Sequence, residues 1–118
     1  MSTYSRQLLS GSTNGREIPV AATATPGTLI HTAVTGTTSF DEIYVWVSNV
    51  TSAAATLTLE WGGVTDPGDH MVKQYSIPAN SAPTPLVFGQ VLNNGLVLRA
   101  FSGTTNALNI SGYVNRIS

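Results

Sequence analysis

Residues 41–50 read DEIYVWVSNV, and Ile43, Val45 and Val47 alternate there with Tyr44, Trp46 and Ser48. A repeat of two places successive side chains on opposite faces of a strand. Both faces of this segment are bulky, so it reads as a central strand covered on both sides. A chain built around such a strand must supply a sheet, and the rest of the sequence supplies strands of the same kind.

Residues 55–61, ATLTLEW, put Leu57, Leu59 and Trp61 on one face and Thr56, Thr58 and Glu60 on the other. That alternation predicts a half-buried strand with a wet face. The short link 51–54 fits a hairpin between the two strands. Asp66-Pro67-Gly68-Asp69 is a turn by composition, followed by a strand over 70–77 that Pro78 ends. Residues 79–85, ANSAPTP, read as a loop or extended corner, because two prolines in three positions forbid a helix or a central strand. A short strand over 86–92 precedes Asn93-Asn94-Gly95, a hairpin signal, since Asn and Gly tolerate positive φ. Strands over 96–101 and 107–115 complete the pattern, the last with Leu108, Ile110, Gly112 and Val114 inward. Upstream, 17–23 and 28–34 are weaker strands split by Pro26-Gly27.

About eight short strands with turns between them predict an all-β, single-domain antiparallel β-sandwich over 16–118. The count suits a jelly roll. An immunoglobulin-like sandwich is the competitor, without its Cys–Trp–Cys hallmark. Residues 1–15 differ: they are polar, carry Gly11 and Gly15, and hold one apolar knot at Leu8-Leu9. They read as an extended N-terminal arm, either frayed or lying across a neighbouring subunit with Tyr4, Leu8 and Leu9 as anchors.

Only 9% of the 118 residues are charged, with net charge −1. Ordinary domains carry roughly 25%. Ser and Thr fill the gap, 12 and 16 respectively. Five scattered cations make no basic footprint, which argues against a nucleic-acid partner. The absence of Cys excludes disulfide scaffolds, thiolate zinc sites and Cys nucleophiles. No apolar run approaches the roughly 20 residues of a membrane-spanning helix. The first residues lack the charged start and apolar stretch of a signal peptide, so none is expected. Asn49-Val50-Thr51 and Asn109-Ile110-Ser111 then match the glycosylation pattern by coincidence.

The catalytic inventory is thin. His31 reads as a surface or hydrogen-bonded strand residue, and His70 as a solvated turn-edge residue. A Ser–His–Asp set can be drawn from His70, Asp66 and one of many serines, but no G-x-S-x-G elbow holds a nucleophile. Asp41 and Glu42 are adjacent, so a strand points them opposite ways. Asp66, Asp69 and His70 lack calcium-loop spacing and read as an ordinary turn. Gly62-Gly63 ends a strand and opens no phosphate loop. No enzymatic activity, cofactor or metal is expected. Trp46, Trp61, Tyr44, Tyr75, Phe88 and Phe101 read as core or interface, with a sugar-stacking platform as the alternative. Few charges and many hydroxyls make faces that meet at little desolvation cost, which favours assembly.

Two groups of phrases carry a resemblance. LSGSTNGREIPV followed by AATATPGTLIHTAV is one; FDEIYVWVSNV, TLTLEWGG, YSIPANSAP, GLVLRAF and the closing ISGYVNRI form the other. Together they cover most of the chain and resemble small virion structural proteins encoded beside the capsid genes of tailed bacteriophages. The resemblance implies a protein that decorates and cements the phage head, made in the host cytoplasm and placed on the outer capsid surface. It implies the major capsid protein as partner and a homo-oligomer, with a trimer favoured. No residue-level motif comes with it. On physical grounds Tyr44, Trp46 and Tyr113 are expected at the subunit interface, beside the arm anchors. A tail, neck, baseplate or fibre accessory is the alternative within the virion, and a carbohydrate-binding or adhesion module is the alternative outside it.

Overall fold

A computed structural model describes residues 3–118. Among them are nine strands and no helix: β1 (Tyr4–Leu8), β2 (Ile18–Pro19), β3 (Thr28–Thr32), β4 (Phe40–Asn49), β5 (Ala55–Trp61), β6 (His70–Ile77), β7 (Ser81–Leu92), β8 (Val97–Ser102) and β9 (Leu108–Ile117). They form two antiparallel sheets packed as a β-sandwich. Sheet A has the order β1-β9-β4-β7, with β2 pairing further along β9; sheet B has the order β3-β8-β5-β6.

β1 lies against residues 113–117 of β9 and β2 against 109–110, so the two act as one interrupted edge strand. With that edge counted once, first pairs with last, β3 with β8, β4 with β7 and β5 with β6. This nested pairing is that of a jelly roll. It also explains where local turn signals misled. The links 51–54 and 93–95 were expected to close hairpins, yet β4 and β5, like β7 and β8, lie in different sheets. Both links cross the sandwich. The turn chemistry at Asn94 and Gly95 holds, with φ of 60° and 68°. Their amides donate to Gly36 O and Val34 O instead of closing a ladder.

The core lies between the sheets. Ile43, Val45, Val47, Leu57, Leu59, Leu98, Leu108, Ile110 and Val114 are fully buried, which follows their sequence alternation. Truncating one such Leu or Ile to Ala costs about 2–5 kcal/mol. β7 begins earlier than expected and runs through Pro83 and Pro85. It can do so because it is the edge of sheet A, where a missing N–H breaks no ladder.

Two other expectations change. Part of the segment read as an arm belongs to the sandwich itself: Tyr4 to Leu8 pair residue by residue with Ile117 to Tyr113. Residues 1 and 2 lie outside the described residues. The wet face expected for β5 is closed, since Thr58 and Glu60 are as buried as Leu57 and Leu59. Thr58 Oγ1 accepts the Gln74 amide at 3.0 Å, at a point where β6 bulges. Glu60 is covered by residues 25–27, through the Thr25 hydroxyl and the Gly27 amide.

Candidate functional site

Paired residues of adjacent antiparallel strands share a face. In sheet A, Leu8 pairs with Tyr113, Tyr113 with Tyr44, and Tyr44 with Phe88. Their neighbours in each strand point into the core, so these four form one outward row across all four strands. A second row carries Trp46 and Pro85, and a third Tyr4, Ile117 and Phe40.

The row is ordered by contact. Tyr44 and Tyr113 stack with centroids 4.9 Å apart and planes 15° apart, and Trp46 lies 6.1 Å from Tyr113 at 27°. Arg6 places its guanidinium 4.6 Å over the Tyr113 ring. A cation over an aromatic face is attracted by the ring quadrupole and keeps its aliphatic stem on the apolar surface. At the other end, Gly89 has φ of 78°, and a Cβ there would stand 2.8 Å from the Tyr44 hydroxyl. That glycine bulges β7 and leaves room for the Tyr44 ring. The ends of the row are open: Leu8 is 53% exposed and Phe88 68%. The central strand β4 is therefore covered by its own chain on one face only, where its sequence led us to expect cover on both.

Five of the six residues singled out from sequence, Tyr4, Leu8, Tyr44, Trp46 and Tyr113, share this face. Leu9 does not. It is 1% exposed and belongs to the core, because the alternation that turns Leu8 outward turns its neighbour inward. Arg6 was missed, although it stands two residues from both Tyr4 and Leu8; only the pairing of β1 with β9 shows that the three share a face. The other aromatics disperse. Trp61 packs against the core, Tyr75 is exposed on β6, and Phe101 lies on the outer side of sheet B.

Of the two readings of His31, surface or hydrogen-bonded strand residue, the structure shows the second, with the side chain buried. A bulge between Leu29 and His31 turns both Ile30 and His31 inward. His31 Nδ1 accepts the Ser10 amide at 3.0 Å, so its proton sits on Nε2, which donates to Asp41 Oδ2 at 2.7 Å. Asp41, fully buried, also takes both arms of Arg116 at 2.8 and 3.0 Å and the Val34 amide at 3.1 Å. Burial holds His31 below its ordinary value and outweighs the pull of Asp41. Burial alone would raise Asp41, but the bonds from Arg116 and His31 bring it below the usual carboxylate range. The Arg116 guanidinium is raised in turn by its bond to Asp41. Ser10, His31 and Asp41 thus meet, but not as a nucleophilic relay: His31 receives the main-chain N–H of Ser10, while the Ser10 hydroxyl accepts the Thr32 amide. The set pins β4 and β9 of sheet A to β3 of sheet B.

His70 is not the solvated turn residue expected; its side chain is 6% exposed. The acids around it have internal partners. Asp69 accepts the Thr65 amide at 3.0 Å, and Asp66 takes Lys73 Nζ at 2.8 and 3.0 Å, which lowers its pKa. Among the described residues, no three His, Asp or Glu side chains converge as a metal-ligand set.

Comparison with known proteins returns no match to a protein-family model, to a curated protein or to a solved structure.

Proposed function

We propose that this protein is a structural virion subunit that decorates and cements a bacteriophage capsid, binding the major capsid protein lattice on its outer surface as a homo-oligomer, with a trimer favoured. The observation that carries the reading is the uncovered aromatic face of sheet A. A row of Leu8, Tyr113, Tyr44 and Phe88 crosses four strands, with Trp46 beside it and the ends of the row open to solvent. Large apolar side chains gathered on one exposed face mark a contact surface. Arg6 and Glu42 stand on this face with opposite charges, so the face carries no net charge that would repel a second copy of itself. The low overall charge and the phage-like sequence phrases point the same way, toward a particle part rather than a free enzyme.

The test is occupancy. Purified protein is mixed with bare capsids and the particles are imaged by cryo-electron microscopy. Hundreds of copies on the head lattice, lost in a Leu8→Ser/Phe88→Ser variant that remains folded, are the expected result. A handful of copies at a neck or tail would move the protein to the accessory role. Binding on a glycan array, abolished by the same variant, would replace both readings with a carbohydrate-binding one.

A further inference from the structure

Apart from the aromatic face, one buried titratable side chain among the described residues has no hydrogen-bond partner at either end. His70 opens β6, and both ring nitrogens are buried and unpaired. Two carboxylates stand at its two ends: Asp66 Oδ1 is 3.5 Å from Nδ1, and Glu60 Oε2 is 4.0 Å from Nε2. Phe101 of β8 meets the ring edge-on at 6.2 Å. Both carboxylates are anchored elsewhere. Glu60 of β5 accepts the Thr25 hydroxyl at 2.6 Å and the Gly27 amide at 2.7 Å. Asp66, in the turn between β5 and β6, holds Lys73 of β6. Arg99 of β8, paired opposite Glu60, donates to Gly27 O at 3.4 Å.

The chemistry of the ring limits what this arrangement can bind. A neutral imidazole carries one N–H and one lone pair, so it can donate to only one of the two acids and turns a lone pair toward the other. One metal ion cannot bridge the set, because Nδ1 and Nε2 point away from each other. An imidazolium has two N–H donors, one for each carboxylate. The ligand that fits is a proton. We propose that His70 is a proton-operated clasp: a proton taken from solvent gives the ring its second N–H, and the two donors close onto Asp66 and Glu60. Closure ties three pieces together, namely the 66–69 turn, the start of β6, and residues 25–27 through Glu60. Lys73 and Arg99 are the cations that oppose it, the first by competing for Asp66 and the second by standing opposite Glu60.

The proposal is independent of the capsid reading. It is tested on the full chain by following the His70 ring by NMR from about pH 8 to about pH 5, the range in which imidazoles ordinarily titrate. Hydrogen exchange at the Gly27 and Thr65 amides is measured in parallel. Exchange at both, corrected for intrinsic pH dependence, is expected to slow at least fivefold as His70 takes its proton. The effect should shrink in Asp66→Asn and vanish in His70→Gln. The wild-type measurements decide the matter if His70→Gln does not fold. A ring that stays neutral down to about pH 5, or that titrates while both amides keep their protection, would overturn the clasp. His31 is a separate resonance whose two nitrogens are already bonded.

Discussion

On sheet B, the outward residues Thr58 and Glu60 of the central strand β5 are closed over by the chain itself. The β6 bulge supplies the Gln74 amide to one, and residues 25–27 supply a hydroxyl and an amide to the other. On sheet A, the outward residues of the central strand β4 are Tyr44 and Trp46, and their neighbours Leu8 and Phe88 remain more than half exposed. The difference lies in what a loop can offer. Loop backbone is rich in donors and acceptors, so it satisfies a buried hydroxyl or carboxylate at close range. It has little apolar area with which to cover a row of rings, and that takes another packed surface. The central strand of one sheet is therefore closed over by the chain's own loops, and the other sheet keeps an open apolar row.

The comparison breaks first where the two sheets are pinned together. Asp41→Ala would leave Arg116 and His31 facing an empty, buried position, and is expected to cost about 3–5 kcal/mol in chemical denaturation. A loss under about 1 kcal/mol would show that the pin contributes little. Glu60→Ala tests the closure of sheet B. It strips two bonds to a charged acceptor and is expected to cost about 2–3 kcal/mol, with exchange at the Gly27 amide rising in step. Unchanged exchange there would mean that residues 25–27 are held by something else.

Acid separates the contributions by sign. The folded His31 is held below its ordinary 6.5, so the unfolded chain takes up that proton first. Its contribution is complete above about pH 6.5 and declines as the pH falls below it. Asp41, held below 3.8, adds a second loss at lower pH, once it is protonated. In a His70→Gln background, which removes the opposing contribution of the clasp, denaturation midpoints measured across this range should fall with acid, and adding His31→Gln should flatten the upper part of the curve. A midpoint that rises steadily from neutral pH to pH 4 would contradict the assignment of a neutral His31.

The smallest expected effect on stability belongs to the open face. Phe88→Ser should change the unfolding free energy by no more than about 0.5 kcal/mol, while lowering the oligomeric mass seen by light scattering. A large destabilisation with unchanged mass would make Phe88 part of the intramolecular core and sheet A as self-sufficient as sheet B.

Much of this molecule was legible in the residues alone. Period-two alternation identified the all-β class and the inward face of β9, and it separated Ile43, Val45 and Val47 of β4 from Tyr44 and Trp46, because side-chain direction in a strand is a local property. Pro83 and Pro85 excluded a central strand, and β7 is an edge. Where the chain went next was not local. The turns at 51–54 and 93–95 carry the same residues whether a strand folds back beside its predecessor or crosses to the other sheet, so the nested pairing had to come from the tertiary structure. Burial of polar groups was equally out of reach. Glu60 and His70 look like wet strand or turn residues until distant parts of the chain are brought against them, and only the fold chooses the hydrogen-bonded reading of His31 over the surface one. The sequence determined which side chains share a face of a strand; the fold alone decided which of those faces the chain would cover with itself.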